Sequence, residues 1–279
     1  MRSLLDVLTL SDEYLKKKRI QNSRREAEKL LCDFFQCSRI ALYTQFDRPL
    51  TESELELCRE KLQRRGEGEP IGYIHGEVEF FHCKIKVDSA VLIPRQETEV
   101  LVSRIVGELE SKNLEGKVLW DLCSGSGCIG IAIKKRFPEL TVVLSDISEE
   151  ALKKAKENAL FNCVEVSFVK GDLLAPFKGN KADFLVCNPP YVSEVEYATL
   201  EREVQAFEPK LALVSGSSGL EFYQRLAKEL SFYINRGGKA WFELGSGQGK
   251  AVKELFSNFS ADFEQDWSGH DRFFFLVFE

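Results

Sequence analysis

Apolar side chains recur at three- and four-residue spacing through residues 1–66: Leu4, Leu5, Val7 and Leu8, then Tyr14 and Leu15, then Ala27, Leu30, Leu31, Phe34 and Phe35. That period belongs to amphipathic helices and predicts a small bundle of about four. Ser23, ahead of Arg24-Arg25-Glu26, fits a capping box. Thr51 followed by Glu52 and Glu54 opens another helix, where the dipole favours acidic side chains, and Gly66 and Gly68 end it. Between residues 70 and 94 the pattern changes. Pro70, Gly72 and Gly76 punctuate the chain, and Val78, Phe80, Cys83, Ile85 and Val87 partly alternate, as in a β-hairpin. After Val91-Leu92-Ile93-Pro94-Arg95 a helix is predicted over 98–106.

From Gly116 onward the rhythm is strand, turn, helix. Strands are predicted at 117–122, 141–144, 164–169, 182–187 and 239–244. Helices fall at 127–137, 148–161 (capped by Ser148), 220–234 and 248–259, and a hairpin of 263–266 with 272–278 closes the chain. Such alternation means an α/β fold, a mostly parallel Rossmann-like sheet with helices on both faces. The expected domains are a helical 1–69, a hairpin connector 70–94 and an α/β domain 95–279.

One of these strands ends abruptly. The buried run 182–187 stops at Asn188-Pro189-Pro190-Tyr191. Two prolines cannot continue a central ladder, and Pro189 holds Asn188 extended. The product is a stiff corner carrying an amide oxygen, a proline carbonyl and an aromatic ring. Two acceptors converging on one planar NH2 group take both its hydrogens, and the Tyr191 ring suits the group's flat face. Asn-Pro alone is a common strand-end turn. Asn-Pro-Pro-Tyr directly after a buried strand is far more specific.

Asp121-Leu122-Cys123-Ser124-Gly125-Ser126-Gly127-Cys128-Ile129-Gly130 follows the first strand of the sheet. Its glycines allow a sharp turn and close approach to a ligand. Gly125 to Gly130 fits G-x-G-x-x-G, and Asp146 ends the next strand with a carboxylate able to accept both hydroxyls of a ribose. These features suit NAD and S-adenosylmethionine equally. A dinucleotide enzyme, however, has no use for Asn-Pro-Pro-Tyr at the fourth strand. Gly171-Asp172-Leu173 ends the third strand, where an acid or an apolar side chain can flank an adenine. In an open α/β sheet all these strand ends share one crevice. The joint reading is S-adenosylmethionine beside a planar amine or amide.

Charge narrows the target. The net charge is −6, but residues 1–75 carry 14 Lys+Arg against 13 Asp+Glu, leaving −7 on the remainder. An acidic α/β domain argues against a nucleic-acid groove. Lys16-Lys17-Lys18-Arg19 in the N-terminal part reads as a solvated helix face or a partner surface. The 8 cysteines form no C-x-x-C pair and there are only 3 histidines, so neither a zinc site nor a disulfide framework is expected. With no signal peptide and no apolar run of membrane-spanning length, a cytoplasmic protein with no DNA or membrane binding is expected.

Taken together, the chain resembles the protein-(glutamine-N5) methyltransferases that modify peptide chain release factors. The likeness runs nearly end to end. It rests on the helical N-terminal part, Pro70-Ile71-Gly72-Tyr73-Ile74-His75-Gly76, Val91 to Arg95 with Thr98-Glu99, Asp121-Leu122 with Gly125-Ser126-Gly127, and Asn188 to Tyr191. The resemblance implies a helical substrate-recognition domain joined by a hairpin to a seven-stranded methyltransferase domain. It implies that the partner is a class 1 release factor, methylated on the glutamine of a Gly-Gly-Gln loop. A monomer is expected. By position, Cys123, Ser124, Gly125, Ser126 and Gly127 would hold the methionine moiety of the cofactor and Asp146 its ribose. Asp172 and Leu173 would lie near the adenine, and Asn188, Pro189, Pro190 and Tyr191 would hold the target glutamine. The family usually has Gly-Thr where this chain has Cys123-Ser124. His75 is expected to be structural, and Glu99 is left open between structure and function. No metal is expected, because a sulfonium is already an activated electrophile. The competing classes are an adenine-N6 or guanine-N2 methyltransferase, which shares the Asn-Pro-Pro-Tyr corner, and a non-catalytic nucleotide-binding module working through its N-terminal helices.

Overall fold

The computed structural model describes residues 2–266 and 269–279. Two compact units divide the chain, Met1–Gly76 and Glu77–Glu279.

The first unit is helical. It comprises α1 (Leu4–Lys17), α2 (Ser23–Phe34), α3 (Arg39–Thr44), α4 (Glu52–Gly66) and the single turn α5 (Ile71–His75). Its core takes in most of the predicted apolar stripe, with Leu8, Leu15 and Ala27 fully buried, and adds Leu42; Leu5 of the stripe is exposed. Capping boxes start α1 (Ser3 with Asp6) and α4 (Thr51 with Glu54). Ser23 does not cap α2. Asn22 occupies the cap position in a left-handed conformation, φ 51°, which asparagine tolerates. The Ser23 hydroxyl instead donates to Asp12 (2.6 Å), tying α2 to α1. Lys16 and Lys17 lie exposed in the last turn of α1, where cations complement the dipole. His75 sits 2.7 Å from the Asp33 carboxylate, a contact internal to the unit.

The second unit opens with the hairpin β1 (Glu77–Phe80) and β2 (Cys83–Lys86). Phe81 and His82 turn it with φ of 40° and 62°. Glu99 accepts the Phe81 N–H (3.1 Å), a structural role at this strained turn. After α6 (Gln96–Leu109) come β3 (Val118–Leu122), α7 (Cys128–Arg136), β4 (Thr141–Asp146), α8 (Glu149–Phe161), β5 (Ser167–Lys170) and β6 (Ala182–Cys187). Then follow α9 (Glu194–Tyr197), α10 (Arg202–Phe207), α11 (Glu221–Glu229), β7 (Ile234–Glu243), α12 (Gly249–Leu255), β8 (Ser260–Gln265) and β9 (Asp271–Val277). The sheet order is β5-β4-β3-β6-β7-β9-β8, parallel except for β9, which runs antiparallel between β7 and β8. This is the seven-stranded, mostly parallel sheet expected.

Its central strands are buried on both faces, with Leu119, Leu122, Leu185, Val186 and Phe242 at 0% exposure, which is why they read as largely apolar runs. Boundaries shift where local signals are weak. The third strand begins at Ser167 rather than 164, and β7 reaches back through Gly237-Gly238 to Ile234. The short α9 and α10 were not predicted. Neither buries a residue, so neither carries an apolar period. Among the described residues no helix is long and apolar enough to cross a membrane.

Candidate active site

The chain leaves β3 and sends β4 to one side and β6 to the other, so the crevice opens at the C-terminal ends of these strands. The loop after β3 is built from left-handed residues: Cys123 (φ 54°), Gly125 (φ 53°) and Gly127 (φ 78°). The Ser124 N–H donates to the Ser145 carbonyl on β4 (3.0 Å), and the Gly127 N–H to the Ser124 carbonyl (2.7 Å). A Cβ on Gly125 would meet nothing within 4 Å, because that position faces open space. A Cβ on Gly130 would lie 2.2 Å from Leu144 Cδ2, so this glycine lets α7 pack directly on β4. The left-handed turn at Cys123 explains why the resembling family favours glycine there. Cysteine accepts a strain of roughly 1–2 kcal/mol at that φ.

Two carboxylates hold the loop. Asp146 accepts the Gly125 N–H (2.8 Å) and the Ser148 N–H (2.9 Å), one on each oxygen. Each oxygen keeps a further lone pair for a hydroxyl donor. Burial raises its pKa despite these bonds. Asp121 is fully buried at the base of the loop and accepts the Gly130 N–H (2.8 Å). Its other oxygen has no hydrogen-bond partner among the described residues. Burial, with a smaller push from Asp146, raises its pKa to about 7.

Opposite the loop stands the Asn188 corner. The Asn188 Nδ2 donates to Glu243 Oε2 (3.1 Å) and lies 3.4 Å from the Thr98 hydroxyl. Because the amide is planar, its oxygen is turned away from that carboxylate. Thr98 donates its own hydroxyl hydrogen to Glu243 (2.7 Å), and the Tyr191 hydroxyl reaches the other carboxylate oxygen (3.4 Å). Burial raises Glu243 to about 7, against the Thr98 hydrogen bond and the Arg272 charge. Gln248 braces the corner from behind: Nε2 donates to the Tyr191 carbonyl (2.8 Å) and Oε1 accepts the Gly245 N–H (2.9 Å).

Of the residues singled out by the sequence, Cys123, Ser124, Gly125, Ser126, Asp146, Asp172, Leu173, Asn188 and Pro190 line one cleft together. Gly127, Pro189 and Tyr191 are not among the lining residues; the Tyr191 hydroxyl points to Glu243. The Asp172 carboxylate is engaged by both Arg225 nitrogens (3.0 and 2.8 Å). Ile147, Leu92 and Phe222 add apolar wall, and Arg95 stands at the cleft paired with the buried Glu208 (2.5 Å). Sequence reasoning passed over Glu243 and Gln248, and named Thr98 only as part of the Thr98-Glu99 pair, with no role in the site. The available signal was an acid closing the apolar run Ala240-Trp241-Phe242 at a strand's C-terminal end.

The donor set suits S-adenosylmethionine. A small-residue loop opens onto the cleft, a carboxylate with spare lone pairs stands beside it, and Leu173, Ile147 and Phe222 offer apolar flanks for a base. This sheet order, with that loop after β3, an acid ending β4 and Asn-Pro-Pro-Tyr ending β6, defines an S-adenosylmethionine-dependent methyltransferase. Residues 95–211 match the Methyltransferase small domain family and residues 6–76 the PrmC N-terminal domain family. A release factor glutamine methyltransferase of Chlamydia trachomatis serovar L2 is 44% identical over 273 residues, covering 97% of this chain and 92% of that one. One of Geobacter sulfurreducens is 37% identical over 272 residues, covering 95% and 93%. The chain therefore belongs to the release factor glutamine methyltransferase family. Among solved structures, the T. thermophilus 16S rRNA N2 G1207 methyltransferase, in complex with AdoMet and guanosine, shares the fold. Its TM-score is 0.52 at 11% identity, over 73% of this chain and 50% of that one.

Proposed function

We propose that this protein methylates the side-chain amide nitrogen, N5, of the glutamine in the Gly-Gly-Gln loop of class 1 release factors, by in-line methyl transfer in the cytoplasm. The observation that carries the reading is the Asn188 side chain. It lines the cleft beside the glycine loop with its NH2 committed to Glu243, leaving its oxygen as an acceptor. S-adenosylmethionine, when bound, supplies an electrophilic methyl group. Cys123 to Gly127 and Asp146 would hold it, with Leu173 against its base.

The chain's own task is to make a poor nucleophile usable. An amide nitrogen delocalises its lone pair into the carbonyl. A hydrogen bond from one N–H group to Oδ1 of Asn188, which lines the cleft, and one from the other to the carbonyl of Pro189, which does not itself line it, would push density back onto nitrogen and fix its direction. Such orientation supplies at most about 7–11 kcal/mol of the barrier. Asn188 keeps those acceptors in place because two prolines stiffen the backbone and Gln248 clamps the Tyr191 carbonyl behind it. The N-terminal helical unit is assigned to recognition of the release factor.

The test is transfer of labelled methyl from S-adenosylmethionine to a purified class 1 release factor, with its loop glutamine intact or replaced by alanine. Label is expected only on the intact factor, on the glutamine side chain. Label that survives the replacement, or that goes to ribosomal RNA instead, overturns the reading.

A further inference from the structure

We propose that Glu243 is a positioning residue for methyl transfer, its carboxylate fixing the Asn188 amide in the one orientation that presents Oδ1 to the substrate. This rests on the reading that Asn188 grips the glutamine amide.

An asparagine amide is nearly symmetric in shape, so packing alone does not decide which end is oxygen. Chemistry decides it here. A carboxylate is an acceptor only, and Glu243 Oε2 sits 3.1 Å from Asn188 Nδ2. Reversing the amide would press Oδ1 against an anionic oxygen in a fully buried site, with no proton between them. Thr98 enforces the same choice. Its hydroxyl hydrogen is spent on Glu243 (2.7 Å), so toward Asn188 it offers only lone pairs. Tyr191 holds the second carboxylate oxygen (3.4 Å), and the buried strand end of β7 carries the group, with 1% of Glu243 exposed.

The arrangement depends on charge. The groups facing Glu243 are Thr98 and Glu97 from α6, Tyr191 from the corner, Arg272 from β9, Tyr223 from α11 and Cys128 from α7. Only Arg272 among these is a cation, and its guanidinium is also engaged by the Leu244 carbonyl and Asp266. Burial therefore keeps the Glu243 proton affinity high, with its titration near pH 7. Once protonated, Glu243 can donate to Oδ1 and hold the amide the wrong way round. Turnover at saturating cofactor should then decline as the pH falls below that titration, while cofactor affinity changes little.

The experiment compares wild type, Glu243→Ala, Glu243→Gln and Asn188→Ala as full-length chains. A class 1 release factor is the substrate, with kcat read from pH 5.5 to 8.5 and S-adenosylhomocysteine affinity read by calorimetry. Glu243→Ala is expected to lose roughly 10–100-fold in kcat, as for the loss of an outer support of a reactive group, and to keep product affinity. Glu243→Gln, whose amide can receive or donate, is expected to recover part of that loss and to show no acid limb. An acid limb unchanged in Glu243→Gln overturns the proposal. So does a wild-type kcat in both Glu243 variants while Asn188→Ala is inactive, which spares the role of Asn188. Equal losses of kcat and product affinity would make Glu243 merely structural and overturn it as well. A wild-type rate in Asn188→Ala overturns the reading beneath, and this proposal with it.

Discussion

Asp121→Asn should change how the methyltransferase unit responds to pH. Asp121 is 0% exposed, with one oxygen on the Gly130 N–H and the other without a hydrogen-bond partner among the described residues. Burial raises its pKa from 3.8 to about 7. A raised acid binds its proton more tightly folded than unfolded. Its contribution is therefore fully present below the unfolded pKa and is lost as pH rises through the folded one. A tenfold difference in proton affinity between the folded and unfolded chain is worth about 1.4 kcal/mol. Roughly 4 kcal/mol thus disappears between about pH 4 and pH 7. Asparagine keeps an oxygen for Gly130 and does not titrate, so it lacks this loss. The variant should gain on wild type by roughly that amount across the window. Urea unfolding at a series of pH values, followed by tryptophan fluorescence, reads the right unit, because all 3 tryptophans lie beyond residue 76. A stability difference between the two proteins that stays constant from pH 5 to pH 8 would refute the reasoning.

Asn188→Ala should lower kcat by about 10²-fold or more while leaving cofactor affinity nearly unchanged, since in the proposed reading its free oxygen serves the substrate amide and not the cofactor; steady-state kinetics with product-binding calorimetry separates the two. Asp146→Ala should do the reverse, weakening cofactor binding first, because it frees the Gly125 N–H and removes the acceptor beside the loop; unchanged affinity would remove Asp146 from the cofactor site. Gly130→Ala should destabilise the second unit by about 1–3 kcal/mol, because its Cβ would stand 2.2 Å from Leu144 Cδ2 and force α7 off β4; a shift in melting temperature is the readout. Glu28→Gln should destabilise the helical unit by roughly 3 kcal/mol, since the buried carboxylate accepts from Tyr43, Arg39 and Arg24. Burial pushes the pKa of Glu28 up, but those three bonds outweigh it and the net shift is downward. Its contribution is thus present above the unfolded pKa and lost as the pH falls through the folded one.

Much of this protein is local. Short, mostly apolar runs, such as Phe184 to Cys187 and Ala240 to Phe242, specify the parallel strands, because a strand buried on both faces has few polar positions to interrupt it. Asn188-Pro189-Pro190-Tyr191 and the loop from Cys123 to Gly130 were legible for the same reason: proline and glycine act on the backbone where they stand. What the tertiary structure alone decided is the company these residues keep. Parallel pairing of β6 with β7 sets Cys187 opposite Phe242. The next residues along, Asn188 and Glu243, therefore meet although 55 positions separate them. Thr98 reaches the same carboxylate from α6, 145 positions away. No periodicity or turn signal encodes a strand register between segments so distant. The orientation of one amide, on which the proposed chemistry turns, is thus a property of the folded sheet and not of any stretch of the chain.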